Sequence, residues 1–103
     1  MAKRHIVLVD DEQSILNALR REISDWAAEQ DLDVFAATSA RMALEYLSSE
    51  GEATVVVVSD LRMPEMKGSD FLVEVRSEHP RIVTILLTGF PETDEIVKAV
   101  KSG

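Results

Sequence analysis

Short apolar runs and amphipathic stretches alternate along this chain. Residues 6–9 (Ile6, Val7, Leu8, Val9) are unbroken apolar and close on Asp10-Asp11-Glu12. Residues 14–28 place Ile15, Leu16, Leu19, Ile23 and Trp26 near helical spacing, with Arg20, Arg21 and Glu22 opposite. The pattern predicts a helix with Trp26 on its inward face, and Asp11 or Glu12 stands where a cap or a dipole partner would. Residues 32–36 alternate loosely, as an edge strand does. Thr38 or Ser39 then caps a helix with Ala40, Ala43, Leu44 and Leu47 inward, stopped by Gly51. Residues 55–58 are four consecutive valines. Such a run predicts a strand buried on both faces, the signature of a central parallel strand. It ends at Ser59-Asp60, and Pro64 cannot continue a central strand. Residues 64–68 read as a loop. Residues 69–78 form a helix with Phe71, Leu72 and Val75 on one face, ended by His79-Pro80. A fourth apolar strand over 82–87 closes on Thr88-Gly89. After Phe90-Pro91, residues 92–101 form a helix with Ile96 and Val100 inward and Gly103 at its C-cap.

Strand and helix thus alternate four times. That order dictates right-handed crossovers and a parallel sheet with helices on both faces, a doubly wound α/β fold. Parallel strands bring their carboxyl ends to one edge, where ligands of open α/β sheets bind. Taken alone, Asp60 is equally well read as a loop residue or a helix cap. The topology changes that balance, because Asp10, Asp11, Asp60 and Thr88 all stand at strand ends on this one edge.

Composition narrows the picture. The 103 residues suit a single domain spanning residues 1–103, and 46% apolar content supplies a core. A net charge of −8 disfavours nucleic acid or an anionic membrane as a direct partner. Absence of cysteine excludes disulfides and thiolate metal sites. No apolar run reaches the roughly 18 residues of a membrane span, so the expected location is the cytoplasm.

Three carboxylates on one edge repel one another unless one is protonated or a cation sits among them. Hard oxygen donors without His or Cys favour Mg²⁺ or Mn²⁺. Beside such an ion Asp60 is a carboxylate able to attack a phosphoryl group, and Thr88 offers a hydroxyl to a phosphoryl oxygen. A phosphatase with an aspartyl nucleophile needs a second acid two residues further on, and that position is Arg62. A flavin site needs a hydroxyl- and glycine-rich loop after the first strand, where Asp10-Asp11-Glu12 would repel a phosphate. His5 and His79 flank elements and are not ligand candidates. Met42, Met63 and Met66 read as core or loop filler.

The strand-end pair Asp10-Asp11, the segment Asp60-Leu61-Arg62-Met63-Pro64 with Gly68, and Leu87-Thr88-Gly89 together resemble the receiver domain of two-component response regulators. The likeness spans residues 5–103. It implies a flavodoxin-like sheet with strand order 2-1-3-4. It implies that Asp60 accepts a phosphoryl group from a sensor histidine kinase and that Asp11 and Asp60 ligate Mg²⁺ directly. Asp10 would act mostly through water, the Arg62 carbonyl would be a further ligand, and Thr88 would be the switch hydroxyl. An output domain or downstream protein would read the change. The domain would catalyse its own phosphorylation and dephosphorylation without being a conventional enzyme.

The family also carries a fifth strand ending in Lys-Pro and a fifth helix. The expectation is therefore a (βα)4 portion of a (βα)5 domain, incomplete after Gly103, either as a fragment of a longer regulator or as a natural truncation. The strand at 82–87 would then be an apolar edge beside an uncovered sheet face, and self-association through either is expected. The alternative is a receiver-like interaction module that is not phosphorylated in this form.

Overall fold

The computed structural model describes residues 4–87. Thr88, Phe90 and the helix expected over 92–101 lie outside the described residues. Seven elements follow in order: β1 (Arg4–Val9), α1 (Gln13–Glu29), β2 (Leu32–Ala37), α2 (Ala40–Glu50), β3 (Thr54–Asp60), α3 (Gly68–Glu78) and β4 (Val83–Leu87). The strands form one parallel sheet in the order β2-β1-β3-β4, as the alternation requires. No described helix is long and apolar enough to cross a membrane.

The period of two along each strand sends alternate residues to opposite faces, and two cores result. On one face Val7, Val9 and Val57 pack with Ala40, Ala43 and Leu47 of α2 and with Phe71, Leu72 and Val75 of α3. On the other, Ile6 and Leu8 meet Leu16 of α1, with Val34, Val56 and Val58 partly buried around them. The four-valine run is thus central, as expected, but it is sealed unequally. Val57 is fully buried, whereas Val56 and Val58 are partly open on the α1 face. Register carries that face on to Val83 and Ile85, because Val56 pairs with Val83 and Val58 with Ile85. Both are exposed, as is Leu87.

Local chemistry sets the element ends. Ser39 caps α2, its hydroxyl accepting from the Met42 N–H at 3.0 Å. α1 gives way to β2 at Asp31, which adopts φ 56°, a left-handed conformation that a short polar side chain tolerates. Glu12 is the N-cap of α1 but makes no side-chain cap bond. Instead the Asp10 carboxylate accepts from the Glu12 N–H at 2.9 Å.

Two expectations for side chains need correction. Trp26 is 46% exposed, and Ile15 is exposed too. The buried line of α1 is Leu16 and Ala27, with Leu19 and Ile23 packed beside them. A 17-residue helix has room for apolar residues off its buried stripe, and spacing alone does not choose between neighbouring stripes. Met42 is likewise exposed, while Met63 is buried and Met66 partly so. His5 meets an acid distant in sequence. Its Nδ1 shares a 2.5 Å hydrogen bond with the Tyr46 hydroxyl, and its Nε2 lies 3.8 Å from Glu50. Tyr46 in turn stacks on Phe35 at 3.9 Å. That cluster joins β1, β2 and α2 at the edge opposite the strand ends. Burial, with Glu50 and Asp33 nearby, pushes the Tyr46 phenol up from its ordinary pKa.

Candidate functional site

At the carboxyl edge, β1 delivers Asp10 and Asp11 and β3 ends on Asp60. One carboxylate oxygen from each of the three lies within 4.8 Å of the others. Sequence separation is thus cancelled by the direct β1–β3 pairing, which brings Val9 opposite Ser59. Asp10 is 4% exposed, Asp60 half-buried and Asp11 exposed. The three therefore grade from interior to solvent. Arg62 lies two residues past Asp60 in the segment joining β3 to α3, with an exposed side chain.

The electrostatics follow from this packing. Burial raises the Asp10 carboxyl above its usual range, and the charges of Asp60, Asp11 and Glu12 add to that, while the Glu12 amide opposes it. Asp60 is raised by burial and then by the charge of Asp11. The amides of Leu61 and Arg62 and the Arg62 guanidinium pull the other way. A cluster that resists ionisation when bare is one that a divalent cation stabilises. The donor set is all oxygen, which matches Mg²⁺ or Mn²⁺ and not zinc or copper.

The backbone fixes Asp60. The Leu61 N–H donates to Asp60 Oδ1 at 2.9 Å and also to the Leu87 carbonyl at 3.1 Å. One amide thus ties the acid to the end of β4. The Asp60 carbonyl accepts from the Ser59 hydroxyl at 2.9 Å. Gly68, the first residue of α3, packs directly on this carbonyl. A Cβ there would sit 2.0 Å from the Asp60 oxygen and 2.9 Å from its carbonyl carbon. The Gly68 N–H also donates to the Leu61 carbonyl at 2.7 Å. This seat was not legible in the chain. Gly68 stands in a motif, but only the tertiary distance makes a side chain there impossible without movement.

The profile of the response regulator receiver domain family matches residues 6–103. The chain belongs to this family. The receiver domain is 36% identical over 102 residues to the regulatory protein AtoC of Escherichia coli strain K12, covering 99% of this chain and 21% of that protein. Its backbone matches the signal receiver domain of an HD domain-containing protein from Pseudomonas fluorescens Pf-5 with a TM-score of 0.84 and 30% identity, over 99% of this chain and 77% of that one. It matches the beryllofluoride-activated NtrC4 receiver domain dimer with a TM-score of 0.82 and 29% identity, over 96% and 77%. The chain spans about a fifth of the length of the curated relatives it matches. Receiver domains are the signalling domains of two-component response regulators, which supports a phosphorylation-dependent signalling role here.

Proposed function

We propose that this receiver domain is a phosphorylation switch in which Asp60 is the phospho-acceptor. The observation that carries the reading is the convergence of Asp10, Asp11 and Asp60 within 4.8 Å at the carboxyl edge of the sheet, with Asp60 held by the Leu61 amide. An Asp60 carboxylate oxygen attacks the phosphorus of a phosphohistidine on a sensor histidine kinase. The P–N bond breaks, its electron pair returns to the imidazole, and an acyl phosphate forms. Asp11, Asp60 and the Arg62 carbonyl are the proposed ligands of Mg²⁺ or Mn²⁺, with Asp10 acting mostly through water. Bound there, the ion would neutralise charge on the carboxylates and the transferring group. Thr88, the residue after Leu87, is the proposed hydroxyl that meets the phosphoryl group.

The switch is a population shift read by an output domain or a downstream protein, and we place it in the cytoplasm. The exposed strip Val83, Ile85 and Leu87 supports self-association as a further part of the reading. Incubation with Mg²⁺ and acetyl phosphate, or with the cognate kinase, tests the switch. A mass gain of one phosphoryl group in the wild type, absent in Asp60→Asn, is expected. No gain in the wild type would replace this reading with that of an interaction module held in one state.

A further inference from the structure

A trough runs between α2 and α3 on the sheet face that carries the larger core, apart from the acidic site. It encloses about 510 Å³. Ala40 and Leu44 of α2 and Met66 of the loop before α3 give it an apolar floor. Glu65, Glu74 and Glu78 line it from the other side. None of these three glutamates has an ion pair with a described residue. The basic side chain in the trough, Arg41, is paired on the α2 rim with Glu45 at 3.5 Å. The trough therefore presents an apolar seat beside negative charge that no described residue pairs.

We propose that this trough docks a basic amphipathic helix from a partner protein. Ala40 and Leu44 stand four residues apart on α2, and Glu74 and Glu78 four apart on α3, so each helix offers one continuous row to an occupant lying along it. α2 has 11 residues, which at about 1.5 Å per residue makes a seat about 16 Å long. A helix of three turns fills that length. It would set a leucine-sized side chain on Leu44 and Met66 and aim lysines or arginines at Glu65, Glu74 and Glu78. A second copy of this chain is disfavoured as the occupant, because its net charge of −8 would meet the trough's glutamates, whereas the exposed strip of Val83, Ile85 and Leu87 is apolar. An anionic lipid surface is disfavoured for the same reason. Glu65 and Met66 belong to the segment that Gly68 anchors under Asp60, so the trough adjoins the acidic site without sharing residues with it. Docking in the trough does not require that Asp60 be phosphorylated.

The probe is a synthetic three-turn amphipathic peptide, leucines on one face flanked by lysines and arginines, compared with a scrambled peptide of identical composition. Titration is followed by amide chemical shifts and fluorescence anisotropy at low and moderate salt. Shifts should cluster at Leu44, Met66 and Glu74, and binding should weaken as salt rises. The pair Glu74→Lys and Glu78→Lys should weaken binding about tenfold or more, whereas Glu22→Lys with Asp25→Lys on exposed α1 changes it about twofold or less. Glu65→Lys, outside any helix, gives a second reading in case the α3 pair disturbs folding. Equal binding of the scrambled peptide, equal loss in the α1 pair, or shifts centred away from the trough would each overturn the proposal.

Discussion

Replacing Gly68 by alanine should damage both the fold and the acidic site. The new Cβ would lie 2.0 Å from the Asp60 carbonyl oxygen and 3.0 Å from the Leu61 Cα. Both are backbone atoms, so no side chain can rotate away, and the start of α3 must retreat from the end of β3 by about 1 Å or more. Overpacking of this kind costs about 1–3 kcal/mol. The retreat also stretches the 2.7 Å bond from the Gly68 N–H to the Leu61 carbonyl, worth about 0.5–1.5 kcal/mol. The better helix propensity of alanine and its stiffer unfolded chain return up to about 1 kcal/mol. The net loss is about 2–3 kcal/mol, which for a domain of this size lowers the melting temperature by about 10–20 °C. Asp60 moves with its own carbonyl, so Mg²⁺ affinity should fall about tenfold, the equivalent of about 1.4 kcal/mol. Urea unfolding by circular dichroism and metal titration by calorimetry read the two effects separately. The neighbouring Ser69→Ala is the control. It removes a buried hydroxyl that has no partner among the described residues, and its stability should stay within about 0.5 kcal/mol of wild type. A Gly68→Ala protein with the wild-type urea midpoint and Mg²⁺ affinity would refute the close-approach argument.

Other consequences follow from the same contacts. Tyr46→Phe keeps the stack on Phe35 but loses the bond to His5, so urea unfolding should show a loss of about 1 kcal/mol; an unchanged midpoint would contradict a structural role for that bond. Asp10 and Asp60 hold their protons more tightly folded than their ordinary value of 3.8 implies. Their ionised forms therefore oppose folding, and the metal-free protein gains from these two groups as pH falls from neutral through their raised values. The stability advantage of Asp10→Asn over wild type should accordingly be largest near neutral pH and shrink on acidification; an advantage constant with pH would reject the coupling. At neutral pH, Mg²⁺ at about 100 times its Kd should stabilise the wild type by about 2.7 kcal/mol and Asp60→Asn by much less; equal stabilisation would remove Asp60 from the ligand set. Ile85→Lys places a charge in the exposed Val83–Leu87 strand and should shift light-scattering mass toward monomer; a wild type already monomeric at micromolar concentration would end the self-association reading.

Much of this architecture was legible from residue order. The four-valine run, the apolar run 6–9 and the helices with Ala40, Ala43, Leu47, Phe71 and Val75 inward follow from periodicity, because burial of one face leaves a repeat in the chain. Alternation of strand and helix then places Asp10, Asp11 and Asp60 at one edge, since parallel strands share a direction. What the chain alone left open depends on distances between segments far apart in sequence. Which stripe of α1 is buried, and hence that Trp26 faces solvent, was decided by the sheet it packs on. The partnership of His5 with Tyr46 crosses 41 positions, and no local pattern encodes it. The intolerance of Gly68 to a side chain exists only because α3 begins against the Asp60 carbonyl. The trough beside Glu65, Glu74 and Glu78 likewise arises from two helices lying next to each other, a relation that periodicity within either helix does not contain.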